Sequence, residues 1–138
     1  MEIFVGTDIV EVERIKKAFN TYSKFLERIF TQKEIEYFNS KRRNLTHIAG
    51  FFSAKESVSK VLGTGIGSFS WKDIEICHNE KGAPVVILKG KAKSIADKKG
   101  IRDIKLSISH TKTHAISCAI AIGGEKNDSA DIKTDERS

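Results

Sequence analysis

Phe52, Glu56, Lys60 and Gly63 have the types and spacing of a charged face that could handle phosphate. They fall at i, i+4, i+8 and i+11 within Phe51-Phe52-Ser53-Ala54-Lys55-Glu56-Ser57-Val58-Ser59-Lys60-Val61-Leu62-Gly63, which puts them on one side of a helix. Glu56 and Lys60 alone would be an ordinary surface pair worth roughly 0.2–0.5 kcal/mol. Directly after them comes Gly63-Thr64-Gly65-Ile66-Gly67. A carboxylate, an ammonium and exposed backbone N–H groups together suit a metal–phosphate site. The glycine run is not a dinucleotide fingerprint, because it follows a helix rather than a strand. Nor is it a P-loop, because no Gly-Lys-Ser/Thr closes it. Its simpler reading is a helix C-cap and turn.

Asp8 lies near the end of an apolar, strand-like run. It either caps the helix that follows or supplies a hard-cation ligand. Magnesium takes one or two carboxylates and completes its shell with water and phosphate oxygens. Asp8 and Glu56 make that pair if the first strand packs beside the long helix. His110 ends Ser107-Ile108-Ser109-His110 and precedes Thr111-Lys112. It reads as a solvated turn histidine or, with those hydroxyls and that ammonium, as a phosphate contact. His47, His78 and His114 show no metal-ligand spacing. Arg14, Lys16, Lys17, Lys24 and Arg28 form a basic run. It is either a solvated face or a docking surface for an acidic protein, where such charges mainly raise the association rate. Cys77 and Cys118 sit in apolar runs with no CxxC pair, and are expected to be buried, reduced thiols.

The elements that must hold these residues follow from periodicity. Glu2 to Ile9 predicts a strand, in which Gly6 allows a close backbone approach or a bulge. Glu11 to Phe19 predicts a helix with Val12, Ile15 and Phe19 on one face, and Phe25, Leu26, Ile29 and Phe30 continue the apolar stripe. Thr31-Gln32-Lys33-Glu34 matches a capping box opening a helix to about Ser40. Leu45 to Leu62 predicts a long helix stopped by Gly63. Strands are expected at Ile74 to Cys77 and Val85 to Leu88, with a turn over Asn79 to Ala83, and a short helix at Lys91 to Lys98. Ile104 to Ser109 and Ala115 to Ile122 should form a closing hairpin. The order predicts one α+β domain over residues 1–123 with an antiparallel or mixed sheet. Residues 124–138 lack apolar periodicity and are expected to be a disordered polar tail.

Composition narrows the function classes. The chain has 138 residues, 39% hydrophobic and 30% charged, enough for one domain with a real core. No stretch approaches the roughly 18 apolar residues of a membrane span. The opening Met1-Glu2-Ile3-Phe4-Val5-Gly6 lacks the basic and apolar regions of a signal peptide, so a cytoplasmic location is expected. Residues 124–138 hold five acids and three bases, −2 of the net +6, which leaves +8 on the body. That suits nucleic acid, an acidic protein or a phosphate-rich cofactor. Aromatics are only 8%, and no basic stretch is interleaved with stacking residues, which weakens the nucleic-acid reading.

Several segments in register resemble the small trimeric phosphopantetheinyl transferases of the holo-acyl-carrier-protein synthase family. They are Val5-Gly6-Thr7-Asp8-Ile9-Val10 with Arg14-Ile15, Phe30-Thr31-Gln32-Lys33-Glu34, Ala54-Lys55-Glu56 through Lys60 to Gly67, Trp71-Lys72-Asp73-Ile74-Glu75-Ile76, Gly82-Ala83-Pro84, and Ser107-Ile108-Ser109-His110-Thr111. The resemblance implies a sheet packed on a long helix and a homotrimer with active sites between subunits. It implies transfer of the 4′-phosphopantetheine arm of coenzyme A to a serine of apo acyl carrier protein in fatty acid biosynthesis, releasing adenosine 3′,5′-bisphosphate. By the same resemblance Asp8 and Glu56 are magnesium ligands, and with Lys60 they form the catalytic set. Lys60 also contacts the coenzyme phosphates. His110 and Thr111 lie near the nucleotide 3′-phosphate, Gly63, Gly65, Pro84 and Ser109 belong to the coenzyme site, and Arg14, Lys24 and Arg28 face the carrier protein. Two positions depart from the family. Phe51 stands where an arginine that helps hold a coenzyme phosphate is usual, so either affinity falls or Lys41, Arg42 or Arg43 substitutes. Ala83 replaces a commoner lysine or arginine. A catalytically dead scaffold is the reading that Phe51 alone would favour.

Overall fold

The computed structural model describes residues 1–124. Three strands make the principal sheet. Glu2–Glu11 (β1) pairs antiparallel with His114–Gly123 (β5), from Glu2 opposite Gly123 to Glu11 opposite His114. Ile104–His110 (β4) takes the other edge of β5, so the order is β1-β5-β4. Strict alternation along β5 explains how the sheet is used. Ala115, Ser117, Ala119 and Ala121 point inward and are buried, while Ile116, Cys118, Ile120 and Ile122 point outward. The inward residues are small, so a helix can lie close on this face.

That helix is Leu45–Leu62 (α4). Its approach to β1 depends on Gly6, where an added Cβ would stand 2.0 Å from the Ser57 carbonyl oxygen. Backbone lies against backbone there, and only glycine fits. Val12–Thr21 (α1) packs on α4, followed by Phe25–Ile29 (α2) and Gln32–Ser40 (α3). Thr31 and Glu34 form the expected capping box. Ile74–His78 (β2) and Pro84–Leu88 (β3) make a separate antiparallel hairpin, followed by Gly90–Lys98 (α5). The predicted elements are thus present within a few residues, in two antiparallel sheets.

The core is built on α4. Phe30 packs edge-on to Phe38 at 4.9 Å between ring centroids, and Phe38 to Phe51 at the same distance. Each such buried ring contributes roughly 1.5–3 kcal/mol through removal from water. Inside this core an ion pair joins Lys55 Nζ to Glu34 Oε1 at 2.9 Å, with both side chains fully buried. Glu34 also accepts from the Thr31 and Ile76 backbone N–H groups, at 2.8 Å each. The N3 position of a capping box therefore also ties α3 to α4 and β2.

Two expectations need correction or a boundary. Cys118 is exposed and Cys77 half-buried, both as free thiols, rather than both buried. Alternation on β5 turns Cys118 to the open face while Ala119 points inward. The tail expected over 124–138 lies, beyond Gly124, outside the described residues. Among the described residues no helix is long and apolar enough to cross a membrane.

Candidate active site

Asp8, Glu56 and Lys60 meet where β1 crosses α4. Asp8 comes late in a strand whose register is fixed by pairing with Ser117. Glu56 and Lys60 are one helical turn apart, and Gly6 lets that turn approach the strand. Lys60 Nζ lies 3.8 Å from Asp8 Oδ1 and donates to the Thr7 carbonyl oxygen at 2.7 Å. Lys60 therefore reaches across to β1, rather than serving only its neighbour on the helix. Ser53, buried on α4, donates to the Asp8 carbonyl oxygen and exchanges a hydrogen bond with Ser117.

The charges in this cluster are imperfectly compensated. Burial pushes the Asp8 carboxyl above its ordinary 3.8, against the opposing pull of a Ser53 hydrogen bond and of Lys60 and Arg14. Burial also raises Glu56 above 4.5, and the negative charge of Asp8 raises it further, with Lys60 opposing. Two partly desolvated carboxylates that repel each other are hard oxygen donors suited to a divalent cation. Among the described residues no group of three or more His, Cys, Asp and Glu could hold a metal. A hard divalent cation held by two carboxylates would complete its shell with water and other oxygen ligands. Directly below Lys60, Gly63 ends α4 at φ 83° and Gly65 follows at φ 69°.

The other predicted residues are distributed more widely. Pro84 and His110 line a second recess with Tyr37, His47, Phe51 and His78. Phe51 and Glu56 are five residues apart on α4, which turns them about 140° from each other. The recess and the Asp8–Glu56–Lys60 cluster thus face different sides of the helix within one chain. Ser109 lies on the open sheet face, across β5 from Thr7 and Ile9. The Thr111 hydroxyl accepts from the Thr113 and His114 N–H groups and so shapes the β4–β5 turn. Arg14, Lys24 and Arg28 are exposed, and the charge of Arg14 reaches Asp8. Sequence spacing missed Tyr37, His47 and His78, because they come from α3, α4 and β2 and meet only in the folded chain.

A family model described as the 4′-phosphopantetheinyl transferase superfamily matches residues 4–119. The chain is 88% identical to the holo-[acyl-carrier-protein] synthase of Thermoanaerobacter sp. (strain X514), over the whole of both chains. It is 68% identical to that of Caldanaerobacter subterraneus subsp. tengcongensis, covering 92% of this chain and all of the relative. Among solved structures it resembles the Helicobacter pylori holo-[acyl-carrier-protein] synthase in complex with coenzyme A. That match has a TM-score of 0.74 and 38% identity, and covers 86% of this chain and 99% of the other.

Proposed function

The chain belongs to the 4′-phosphopantetheinyl transferase superfamily, and from that premise we infer that it is a holo-[acyl-carrier-protein] synthase. It transfers the 4′-phosphopantetheine arm of coenzyme A to a serine of apo acyl carrier protein, the activation step for carriers of fatty acid biosynthesis. The serine oxygen bonds to the phosphorus that carries pantetheine. The bridging P–O bond breaks, and adenosine 3′,5′-bisphosphate leaves with the electron pair. The observation that carries this reading is the meeting of Asp8, Glu56 and Lys60 beside a glycine loop.

Asp8 and Glu56 are the residues that would hold magnesium, which when bound neutralises pyrophosphate charge as a Lewis acid. Lys60 binds phosphate oxygens with its half-exposed ammonium, anchored by the Thr7 carbonyl. Glu56, raised by burial and by Asp8, accepts the serine proton, since a base titrating nearer neutrality is the better catalyst. Positioning and electrostatics supply most of the acceleration, as in other phosphoryl transfers. Gly63, Gly65, Pro84, Ser109, His110 and Thr111 serve the coenzyme, and Arg14, Lys24 and Arg28 serve the acidic carrier.

The enzyme works as a homotrimer with its sites between subunits. The open sheet face supports this. Ile3, Val5, Ile9, Ile116, Ile120 and Ile122 are 43–64% exposed on it, a contiguous apolar surface of the kind that marks an interface. An intersubunit site would also join the Asp8 cluster of one chain to the His110 recess of the next, which a single α4 holds apart. Coenzyme A and carrier protein as substrates favour the cytoplasm.

The test is intact-mass spectrometry of an apo acyl carrier protein incubated with the enzyme, coenzyme A and magnesium. A gain of about 340 Da, one phosphopantetheine arm, that disappears with chelator is the expected result. No gain with several apo carriers would overturn the reading.

A further inference from the structure

Ser53 and Ser117 carry hydroxyls into a contact that alanine fills beside them. Ala115 and Ala119 flank Ser117 on the inward face of β5, and Ala49, one turn before Ser53 on α4, is fully buried. Packing alone therefore calls for methyl groups at both positions. Ser53 is 0% exposed and Ser117 5%, and a hydroxyl removed from water costs free energy unless it is hydrogen-bonded. These two are bonded, to each other at 2.8 Å and to main-chain oxygens. The pair lies beside Asp8, since Ser117 is the register partner of Asp8 on β5.

Each serine has one O–H to donate. Ser117 gives its proton to the Ser53 carbonyl oxygen at 2.8 Å. The Ser53 proton then has two acceptors, the Ser117 hydroxyl at 2.8 Å and the Asp8 carbonyl oxygen at 3.2 Å. The second of these ties the helix to the main chain of Asp8. Its place relative to Gly6 gives it leverage. Gly6 of β1 meets Ser57 of α4, and Asp8 meets Ser53, so strand and helix run in opposite directions through two contacts. Two strand residues rise about 6.7 Å and four helix residues about 6 Å, which keeps the contacts in step. With one contact the strand could pivot on Gly6. The second fixes the crossing angle, and with it the separation of Asp8 from Glu56 and Lys60 on the same stretch of α4.

We propose that Ser53 is a positioning residue for the transfer reaction: its hydroxyl anchors the Asp8 main chain to α4, so that the Asp8 and Glu56 carboxylates are held ready for one cation. Being fully buried, Ser53 acts through Asp8 rather than on substrate. Ser117 secures the helix at the same point through the Ser53 carbonyl, and it also competes for the Ser53 proton. The inference rests on Asp8 and Glu56 holding magnesium in the proposed reaction. To that reading it adds a residue outside the charged cluster and an order of importance between two adjacent hydroxyls.

The test is calorimetric titration of magnesium into the full chain with coenzyme A present, alongside steady-state transfer and urea unfolding, for the unmodified protein, Ser53→Ala and Ser117→Ala. Groups that orient a metal ligand are typically worth about 10–100-fold in metal affinity or activity. Ser53→Ala should weaken magnesium binding on that scale and lower kcat to a similar extent, with KM for the apo carrier unchanged. Ser117→Ala removes the competing acceptor and leaves the Ser53 proton to Asp8, so it should cost clearly less in both. Should Ser53→Ala fail to fold, Ser53→Cys takes its place, with a thiol that is only a weak donor, and the same losses are expected. A lowered urea midpoint with magnesium affinity and kcat unchanged would make Ser53 a packing residue and overturn the proposal. Equal losses in the two serine variants would overturn it as well. In both cases Asp8 and Glu56 keep their assigned role. If the unmodified protein binds no magnesium in the presence of coenzyme A, that assignment falls, and this inference with it.

Discussion

Lys55 and Lys60 are five residues apart on one helix, and each meets a carboxylate from another element, with opposite consequences. Lys55 is fully buried and its donors are spent, on Glu34 at 2.9 Å and on the Trp71 and Ile74 carbonyl oxygens. Burial lowers its pKa, and Glu34 opposes that shift. Lys60 is half-exposed, has one short bond to a carbonyl, and stands 3.8 Å from Asp8. The first pair is saturated and can only hold the fold. The second has unspent capacity and can receive phosphate. Similar chemistry becomes structural or functional according to how completely its hydrogen-bonding capacity is used.

The comparison breaks most forcefully at the buried pair. Lys55→Met leaves Glu34 charged in the core with only the Thr31 and Ile76 N–H groups as partners, and should cost about 3–5 kcal/mol in denaturant unfolding. Adding Glu34→Gln, which keeps an acceptor for the cap, should recover part of that loss. At the open site the order reverses. Glu56→Gln or Asp8→Asn should lower transfer activity by about 10²–10³-fold, the scale of losing one preorganised electrostatic partner. Both should leave the denaturation midpoint unchanged or raise it, because each removes a strained charge. A smaller effect is expected at Lys60→Ala, with about a tenfold loss of activity and under about 1 kcal/mol of stability, since its ion pair is solvent-screened. The smallest is a pH effect. Asp8 and Glu56 are raised in the folded state, so the native protein binds more protons than the unfolded chain just above their ordinary 3.8 and 4.5. Their contribution to stability should therefore fall as pH rises through that window and remain lost above it. In Asp8→Asn that component should shrink, as followed by urea midpoints across pH.

Much of the site was legible in the chain. The i, i+4 spacing of Glu56 and Lys60 and the glycine stop after them are local facts, and α4 ends at Gly63 as expected. The value of Gly6 was also visible in outline, and the Ser57 contact gives its reason. What was not legible required distant elements to meet. Glu34 read as a cap and is also the partner of Lys55, twenty-one residues on. His47, His78 and His110 carry no shared spacing, and Phe51 lies in the aromatic wall beside them. Cys118 illustrates the complementary limit. An apolar alternating run specifies two faces but not which of them a helix will cover.

The sequence by itself determined the elements, their caps and order, and the residue types that could handle phosphate, because these depend on contacts within one or two turns or on period-two alternation. Only the tertiary structure decided which carboxylate each lysine meets and which sheet face stays open. It also decided that three separate histidines share one recess. Those outcomes depend on pairing register and on how closely α4 can approach β1, and both are set by contacts between residues far apart in the chain.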